Sequence, residues 1–232
     1  MNLKIIFLLL LLMFMGTLQA QDIDKDLLRI KQHMDDVSYF TADIIVDVTA
    51  PFINMPTKTA SIAYNRGEKI KFKTEDFLIF PKRGLDFTFS ELFEHPFISV
   101  DRGFELIDDK NLKVLSIIPK DDKADMAMAT LYLDIEKDHI VVSKITTKNQ
   151  GSYTLKMQYN AAEILPYHME VSFAIENLKI PLNFMGSDTK IDRKAIKNTQ
   201  TNTGIVKIQI KNYDIKKPVS YTHLRAHETD SY

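Results

Sequence analysis

Alternation of apolar and polar residues with a period of two is the feature of this sequence that most constrains its fold. From Phe40 to Ala50 every second residue is apolar, and the residues between them are mostly Thr and Asp. Successive side chains of a β-strand point to opposite faces of the sheet, so this run predicts a long strand with one buried face. The same alternation recurs in five further runs, at 69–73, 129–135, 153–159, 168–175 and 206–211.

Short turn signals between the predicted strands indicate how the strands pair. Asn65-Arg-Gly67, Glu136-Lys-Asp138 and Asn149-Gln-Gly151 have the length that joins neighbouring antiparallel strands. We therefore predict a mainly β protein with about nine to eleven strands in an antiparallel sheet. The apolar face of that sheet has to be covered, and the alternation leaves three ways open. The sheet can close into a barrel, pack on a second sheet, or wrap around helices.

Two segments carry helical spacing instead and are candidates to cover the apolar face. One side of the predicted N-terminal helix has apolar residues spaced by four, three, four and three: Ile23, Leu27, Ile30, Met34 and Val37. Asp22 and Asp24 stand where an N-cap is expected. A second, two-turn helix is predicted within 85–97, before a proline. Eight of the 14 Phe lie within 72–104, so much of the aromatic surface is predicted to cap the sheet.

The two ends of the chain are predicted to lie outside the folded domain. Residues 1–20 have the pattern of a secretory signal peptide, since Lys4 is followed by 11 consecutive apolar residues and a short segment that permits cleavage after Ala20. Eleven residues fall well short of the roughly 20 that span a bilayer; an uncleaved membrane anchor is the alternative. Residues 219–232 resemble a translated adapter sequence and are predicted to be a non-native or disordered tail. A single domain is left at 21–218.

Charge and residue content exclude several classes of function. Thirty Lys and Arg against 31 Asp and Glu give a net charge of −1, whereas nucleic-acid binding needs a cationic excess. The sequence has no Cys, which excludes disulfides, thiolate metal sites and Cys nucleophiles. The His residues of the domain are widely separated, and no nucleophile-elbow, zinc-protease, P-loop or dinucleotide motif occurs. We predict no metal, no cofactor and no enzymatic activity; a hydrolase built on scattered carboxylates is the catalytic alternative.

Two connecting segments are more apolar than a connection requires, namely the Phe-rich segment 72–104 and the segment 180–186. Each can fold back into the core, or it can line or gate a cavity for an acyl chain or contact a membrane. On the second interpretation, mid-strand apolar residues line the cavity, the Phe-rich segment supplies a lid, and 180–186 is a membrane or partner loop. The residues are Val46, Phe72, Leu133, Leu155 and Phe173 for the lining, Phe89, Leu92 and Phe93 for the lid, and Leu182, Phe184 and Met185 for the loop.

The order of these motifs resembles that of one protein family. An amphipathic helix is followed by a strand that begins Phe40-Thr-Ala-Asp, then by Ile118-Pro-Lys, and then by an Asn149-Gln-Gly turn before Tyr153-Thr-Leu. This arrangement is similar to that of the LolA-like outer-membrane lipoprotein carrier and sorting proteins over most of residues 22–180. The resemblance implies a strongly curved antiparallel sheet that forms an incomplete, half-open β-barrel, with an N-terminal helix and a short helical lid on its concave face.

The resemblance also implies a function. It implies a carrier that shields lipoprotein acyl chains or another lipid in an apolar groove, works with inner- and outer-membrane sorting partners, and delivers its cargo towards the outer membrane. A secretory signal peptide on a chain that has no Cys residues fits the periplasm. We also predict that the protein is a monomer. In carrier members a buried Arg holds the lid, and this sequence has no Arg at an equivalent strand position. The alternative is an interaction or sensory module that binds a protein partner on the same fold.

Overall fold

The structure is a computed structural model and describes most of the predicted domain. The described residues are 23–50, 53–73, 89–149, 151–161, 163–174, 190–191 and 203–216. The predicted signal peptide, the predicted tail and the predicted loop with Leu182, Phe184 and Met185 lie outside the described residues.

Two helices and twelve strands form within the described residues. The helices are α1 (Lys25–Asp35) and α2 (Ser90–Glu94). The strands are β1 (Tyr39–Ala50), β2 (Ile53–Asn54), β3 (Lys58–Asn65), β4 (Lys71–Lys73), β5 (Phe97–Ile107), β6 (Lys110–Pro119), β7 (Met126–Asp134), β8 (His139–Thr147), β9 (Ser152–Gln158), β10 (His168–Ala174), β11 (Lys190–Ile191) and β12 (Thr203–Lys216). The predicted mainly β class is confirmed. In the part of the chain that the structure describes, neither helix has the length and apolarity to cross a membrane.

All these strands belong to one sheet, and each described pair is antiparallel. The order is β11-β2-β1-β12-β10-β9-β8-β7-β6-β5, with β3 paired to β1 and β4 paired to β3. Among the described strands β5 pairs with β6 alone, so the sheet stays open. Of the three ways of covering the apolar face, the structure adopts the sheet that wraps around helices. The predicted half-open antiparallel barrel is confirmed.

β-Bulges bend the long strands and give the sheet its concave face. The register shifts between Thr41 and Asp43 in β1, between Asp101 and Phe104 in β5, and at two places in β7. An extra residue on one strand bends that strand and increases its twist. The bulge in β5 places Gly103 at a φ of +82°, a conformation that strains residues with a side chain. Long strands such as the 14-residue β12 can therefore curve without losing their pairing.

The predicted alternation determines which side chains form the core. In β1 the buried residues are Phe40, Ala42, Ile44 and Val46, and in β12 they include Val206, Ile208 and Ile210. These side chains belong to one apolar cluster that also contains Leu27 and Ile30 of α1 and Phe89 and Leu92 beside or within α2. The core therefore lies between the concave face of the sheet and the two helices.

A second, smaller apolar cluster lies on the opposite face of the sheet. It consists of Leu112, Val114, Tyr132 and Val142. Val114, Tyr132 and Val142 are direct neighbours across β6, β7 and β8. β6 is therefore buried on both faces from Leu112 to Leu115, which explains why apolar residues occupy both parities along this strand.

Candidate functional site

Helix α1 begins at a capping aspartate and buries one side against the sheet. Oδ1 of Asp24 accepts hydrogen bonds from the backbone N–H groups of Asp26 and Leu27, at 3.0 and 3.3 Å. Such a cap satisfies N–H groups that have no partner within the helix. Leu27 and Ile30 are almost completely buried, as their spacing predicts.

A buried lysine of the sheet holds the N-terminal end of α1. Nζ of Lys113, in β6, lies 2.7 Å from a carboxylate oxygen of Asp24, 2.7 Å from one of Asp26 and 3.4 Å from one of Asp101. Burial of Lys113 opposes its charged form, but the hydrogen bonds with Asp24 and Asp26 outweigh it and raise the pKa of the lysine. The hydrogen bond from Lys113 in turn lowers the pKa of Asp26, although burial opposes that shift. We call these four residues the Lys113 cluster.

A second set of charges ties the middle of α1 to the turn between β7 and β8. Arg29 donates hydrogen bonds to Asp138 and, at 2.9 Å, to the backbone carbonyl of Ile135. Nδ1 of His33 lies 3.1 Å from a carboxylate oxygen of Asp138. The hydrogen bond with Asp138 raises the pKa of Arg29, with burial opposing it. Polar contacts along its length thus fix α1 to the sheet.

Helix α2 is held mainly by apolar contacts. Phe89 precedes it with a φ of 54°, in the left-handed region, and forms no side-chain cap. A bulky residue in this conformation is strained by about 1–3 kcal/mol. Phe89 and Leu92 are buried in the core cluster. The ring centroid of Phe93 lies 5.9 Å from that of Phe97, and Nζ of Lys31 lies 5.4 Å from the Phe93 ring centroid.

In the part of the chain that the structure describes, an ion pair connects the end of α2 to the loop between β6 and β7. Nδ1 of His95 lies 3.2 Å from a carboxylate oxygen of Asp121, in the loop between β6 and β7. Both side chains are partly exposed, so this pair contributes little to stability. The backbone N–H of Lys123 is the main cause of the lowered pKa of Asp121, with burial opposing it and His95 adding to it.

A cavity of about 510 Å³ lies between α1, α2 and the paired ends of β1 and β3; we call it the α1–α2 cavity. Its apolar walls are formed by Met34, Val37, Phe40, Tyr64, Phe93 and Leu165. Its polar lining residues are Lys31, Asp35, Arg66, Glu68, Lys69 and Glu94. The lining divides equally between apolar and charged side chains, an arrangement that suits a small amphipathic ligand.

A smaller cavity of about 200 Å³ lies on another side of α2. Its lining includes Phe89, Leu92, Met126, Ile145 and Tyr153. Glu94 and Lys69 border both cavities, and α2 lies between them because Leu92 lines one cavity and Phe93 the other. A displacement of α2 would therefore join the two spaces.

The structure places the five predicted lining residues in two kinds of environment. Val46, Leu133 and Leu155 are fully buried in the core cluster, and Phe173 packs against that cluster. The Phe173 ring also lies over Gly204, where an added Cβ would approach it to 2.6 Å. Phe72 is 40% exposed on the short strand β4, whereas the alternation predicted that it faces the core. None of the five is among the described residues that line the two cavities.

The three predicted lid residues lie together at α2. Phe89 and Leu92 line the smaller cavity, and Phe93 lines the α1–α2 cavity. The helix itself has five residues, shorter than the two turns predicted within 85–97. The residues preceding 89 in that range lie outside the described part of the chain.

Two groups of site residues were missed by the sequence analysis, although signals for them exist. Met34 and Val37 end the apolar side of the predicted helix; Val37 is buried in the core cluster, Met34 packs against it, and both line the cavity. Lys113 has the same parity along β6 as the buried Leu115 and Ile117, so a charge on the core face was visible in the pattern. The partners of Lys113 could not be identified from the pattern, because Asp24 and Asp26 are 89 and 87 residues away in sequence.

The described residues offer no group of three or more His, Cys, Asp or Glu side chains placed to hold a metal ion.

His139 is the most buried of the described histidines, and its contacts are those of a residue that stabilises the fold. Burial lowers its pKa, its Nε2 lies 2.9 Å from the carbonyl oxygen of Glu163, and its ring stacks on Tyr159 with centroids 3.9 Å apart.

Comparison with known proteins finds similarity of fold. No protein-family model matches the sequence, and no curated protein matches it. A DUF1329 family protein from Desulfovibrio piger aligns with a TM-score of 0.50 and 12% identity, over 84% of this chain and 91% of that protein. A putative outer membrane lipoprotein-sorting protein domain from Vibrio parahaemolyticus aligns with a TM-score of 0.45 and 8% identity, over 84% and 93%. A LolA superfamily protein from Nitrosomonas europaea also has a TM-score of 0.45 and 8% identity, over 83% and 94%.

The alignment with the Desulfovibrio piger protein shows similarity of fold. The open antiparallel sheet, the N-terminal helix and the short helix on the concave face are the features that the resemblance implies. At these identities the similarity concerns the fold, so the function has to be argued from the cavities and their residues.

Proposed function

We propose that the protein is a periplasmic carrier that binds the acyl chain of a lipoprotein or of another lipid in the α1–α2 cavity. The observation that carries this proposal is the position of the cavity. It has apolar walls, it opens beside a fixed helix, and one wall is the lightly held α2. Each methylene group transferred from water into such a site contributes roughly 0.8 kcal/mol, so several methylenes bind usefully without a catalytic group.

In this proposal α2 acts as the lid, and Phe89, Leu92 and Phe93 shield the bound chain. A short chain occupies the α1–α2 cavity alone, and a longer one displaces α2 and extends into the smaller cavity. Val46, Leu133, Leu155 and Phe173 are then residues of the core, or packed against it, and do not contact the chain. Delivery towards the outer membrane and contact with sorting partners follow from the resemblance to LolA-like proteins. The role of Leu182, Phe184 and Met185 as a membrane or partner loop follows from the apolar character of segment 180–186.

Native mass spectrometry tests this proposal directly. The protein is purified from a periplasmic fraction without detergent and its mass is compared before and after mild organic extraction. We expect additional mass of the size of an acyl-chain lipid that extraction removes. A clean mass from freshly isolated protein, together with no binding of added fatty acid, would reject the carrier and favour a module that binds a protein partner.

A further inference from the structure

We propose that the α1–α2 cavity selects a single-chain amphiphile whose headgroup is an oxyanion, a carboxylate or a phosphate monoester, and that Arg66 binds this headgroup. The inference rests on the proposed function, because it assigns a ligand class to the same cavity. It depends on three features of the cavity: its apolar interior, the position of Arg66, and the pairing of the other charges around it.

The interior is suited to one alkyl chain. At about 510 Å³ the cavity lies within the range of roughly 300–1,000 Å³ that holds small-molecule ligands. Aromatic packing supports one wall: the ring of Phe40 stacks on Tyr64 with centroids 5.2 Å apart and meets the edge of Tyr213 at 5.6 Å. These rings are anchored in β1, β3 and β12, so the wall is preformed.

Arg66 lines the cavity next to this wall, and the backbone fixes its position. It follows Tyr64 by two residues at the end of β3, and its backbone N–H donates to the carbonyl oxygen of Ser38 at 2.9 Å. Gly67, with a φ of 78°, turns the chain immediately after it. Among the described residues the Arg66 guanidinium has no carboxylate or hydrogen-bond partner. Its planar array of N–H donors matches the two oxygens of a carboxylate or phosphate.

Most of the other charges around the cavity already have partners. Lys31 pairs with Asp35. Glu68 accepts hydrogen bonds from Lys71 at 2.6 Å and from Asn65 at 3.3 Å.

Glu94 of α2 is the unpaired carboxylate among the described lining residues. Its negative charge therefore repels an anionic ligand, whereas Arg66 attracts one. Removing the charge of Glu94 should raise the affinity for an anion, and removing the charge of Arg66 should lower it.

Four probes with the same chain test the inference: dodecanoate, dodecyl phosphate, dodecanol and dodecyltrimethylammonium. Their affinities for the delipidated full protein are measured by displacement of a fluorescent hydrophobic probe at fixed ionic strength. We expect the two anions to bind at least tenfold more tightly than dodecanol and the cation most weakly. The tighter of the two anions identifies the headgroup as carboxylate or phosphate.

Substitution of Arg66 separates the headgroup from the chain. Arg66→Gln should weaken both anions by about tenfold, the order expected for one charge-assisted hydrogen bond, and leave dodecanol unchanged. Arg66→Lys keeps the charge but loses the planar donors, so its affinity for the two anions should lie between those of the natural protein and Arg66→Gln. Glu94→Gln should tighten both anions. Arg102→Gln, on the exposed part of β5, is the matched control and should change nothing.

The outcomes distinguish the ligand class from the carrier function. Equal affinities for all four probes, or an unchanged anion affinity in Arg66→Gln, would overturn the assignment of the headgroup and leave an acyl-chain cavity. An equal loss of dodecanol and dodecanoate in Arg66→Gln would show that Arg66 shapes the cavity, and would also overturn it. Failure of every probe to bind would instead reject the proposed function itself.

Discussion

The two helices on the concave face are held by different forces, and the difference indicates different roles. Helix α1 is fixed by the Lys113 cluster and by the contacts of Arg29 with the β7–β8 turn. Among the described residues, helix α2 rests on apolar contacts, one partly exposed ion pair and the contact of Lys31 with the Phe93 ring. A buried charge strongly penalises the loss of its partner, whereas apolar contacts are non-directional and allow a short helix to shift. The first arrangement suits a permanent cavity wall and the second suits a lid.

The largest effect is expected from removing the charge that fixes α1. Lys113→Met keeps most of the side-chain volume but leaves Asp24 and Asp26 without their buried cation. Loss of one partner of a buried ion pair costs about 3–5 kcal/mol; because both aspartates retain other hydrogen bonds, we expect the lower end. Urea denaturation measures this change, with Lys110→Met at the exposed start of the same strand as the control. Equal stabilities of the two variants would mean that α1, like α2, is held by its apolar side alone.

The next effect is the response of the Lys113 cluster to acid. The pKa of Asp26 is lowered in the folded protein from a reference of 3.8, so its contribution is present above that value and is lost as the pH falls through the lower, folded pKa. The pKa of Lys113 is raised above 10.5, so its contribution is present below 10.5 and is lost as the pH rises through the folded pKa. The free energy of unfolding contributed by this pair is therefore constant between these two limits.

Urea denaturation between pH 2 and pH 5 measures this response. We expect the free energy of unfolding to fall with a slope that corresponds to the uptake of about one proton by one carboxylate. Asp26→Asn should be less stable than the natural protein at neutral pH, and its stability should fall less steeply in acid. If both proteins lose stability with the same slope below pH 3.8, Asp26 does not carry the linkage.

The core and α1 could be predicted from the sequence because both obey local periodicity. A period of two identified the buried residues of β1, and spacings of four and three identified the buried side of α1. Phe72 departs from the pattern because β4 is only three residues long and exposed throughout. Alternation sorts side chains between two faces of a strand, but it does not determine whether a neighbouring element covers the face.

The candidate site could be predicted only in part because it lies between elements that are distant in sequence. Phe93 was predicted as a lid residue from its helical spacing, and it lines the α1–α2 cavity. Tyr64 and Leu165, which line the same cavity, are 101 residues apart and share no local pattern. Arg66 was placed correctly at a turn, but its position beside the cavity depends on the pairing of β3 with β1. Local sequence patterns predict single strands and helices. They do not predict which distant strands pair in the assembled sheet.

A smaller effect on stability, with a large effect on binding, is expected at the lid. Phe93→Asp places a carboxylate in the apolar wall of the α1–α2 cavity, while the half-buried ring it replaces lies at the edge of the core. We expect a loss of less than about 1 kcal/mol in the free energy of unfolding and at least a tenfold loss of dodecanoate affinity. Leu28→Asp, on the exposed side of α1, is the matched control for an added charge. Retention of dodecanoate by Phe93→Asp would place the ligand away from α2.

The smallest effect tests whether the two helices are coupled. Lys31 of α1 reaches α2, with its Nζ 5.4 Å from the Phe93 ring centroid, and it also pairs with Asp35 one helical turn away. Exposed cation–π contacts contribute about 0.5–1 kcal/mol, and an ion pair between residues one helical turn apart contributes about 0.3–0.5 kcal/mol. Lys31→Met should therefore lower stability by about 1 kcal/mol, while release of bound dodecanol, which carries no charge, becomes two- to fivefold faster because α2 opens more often. Asp35→Asn removes the ion pair and keeps the cation over the ring, so its release rate should stay near that of the natural protein. Equal acceleration in both variants would assign the effect to the stability of α1, and the contrast between a fixed wall and a separately moving lid would then fail.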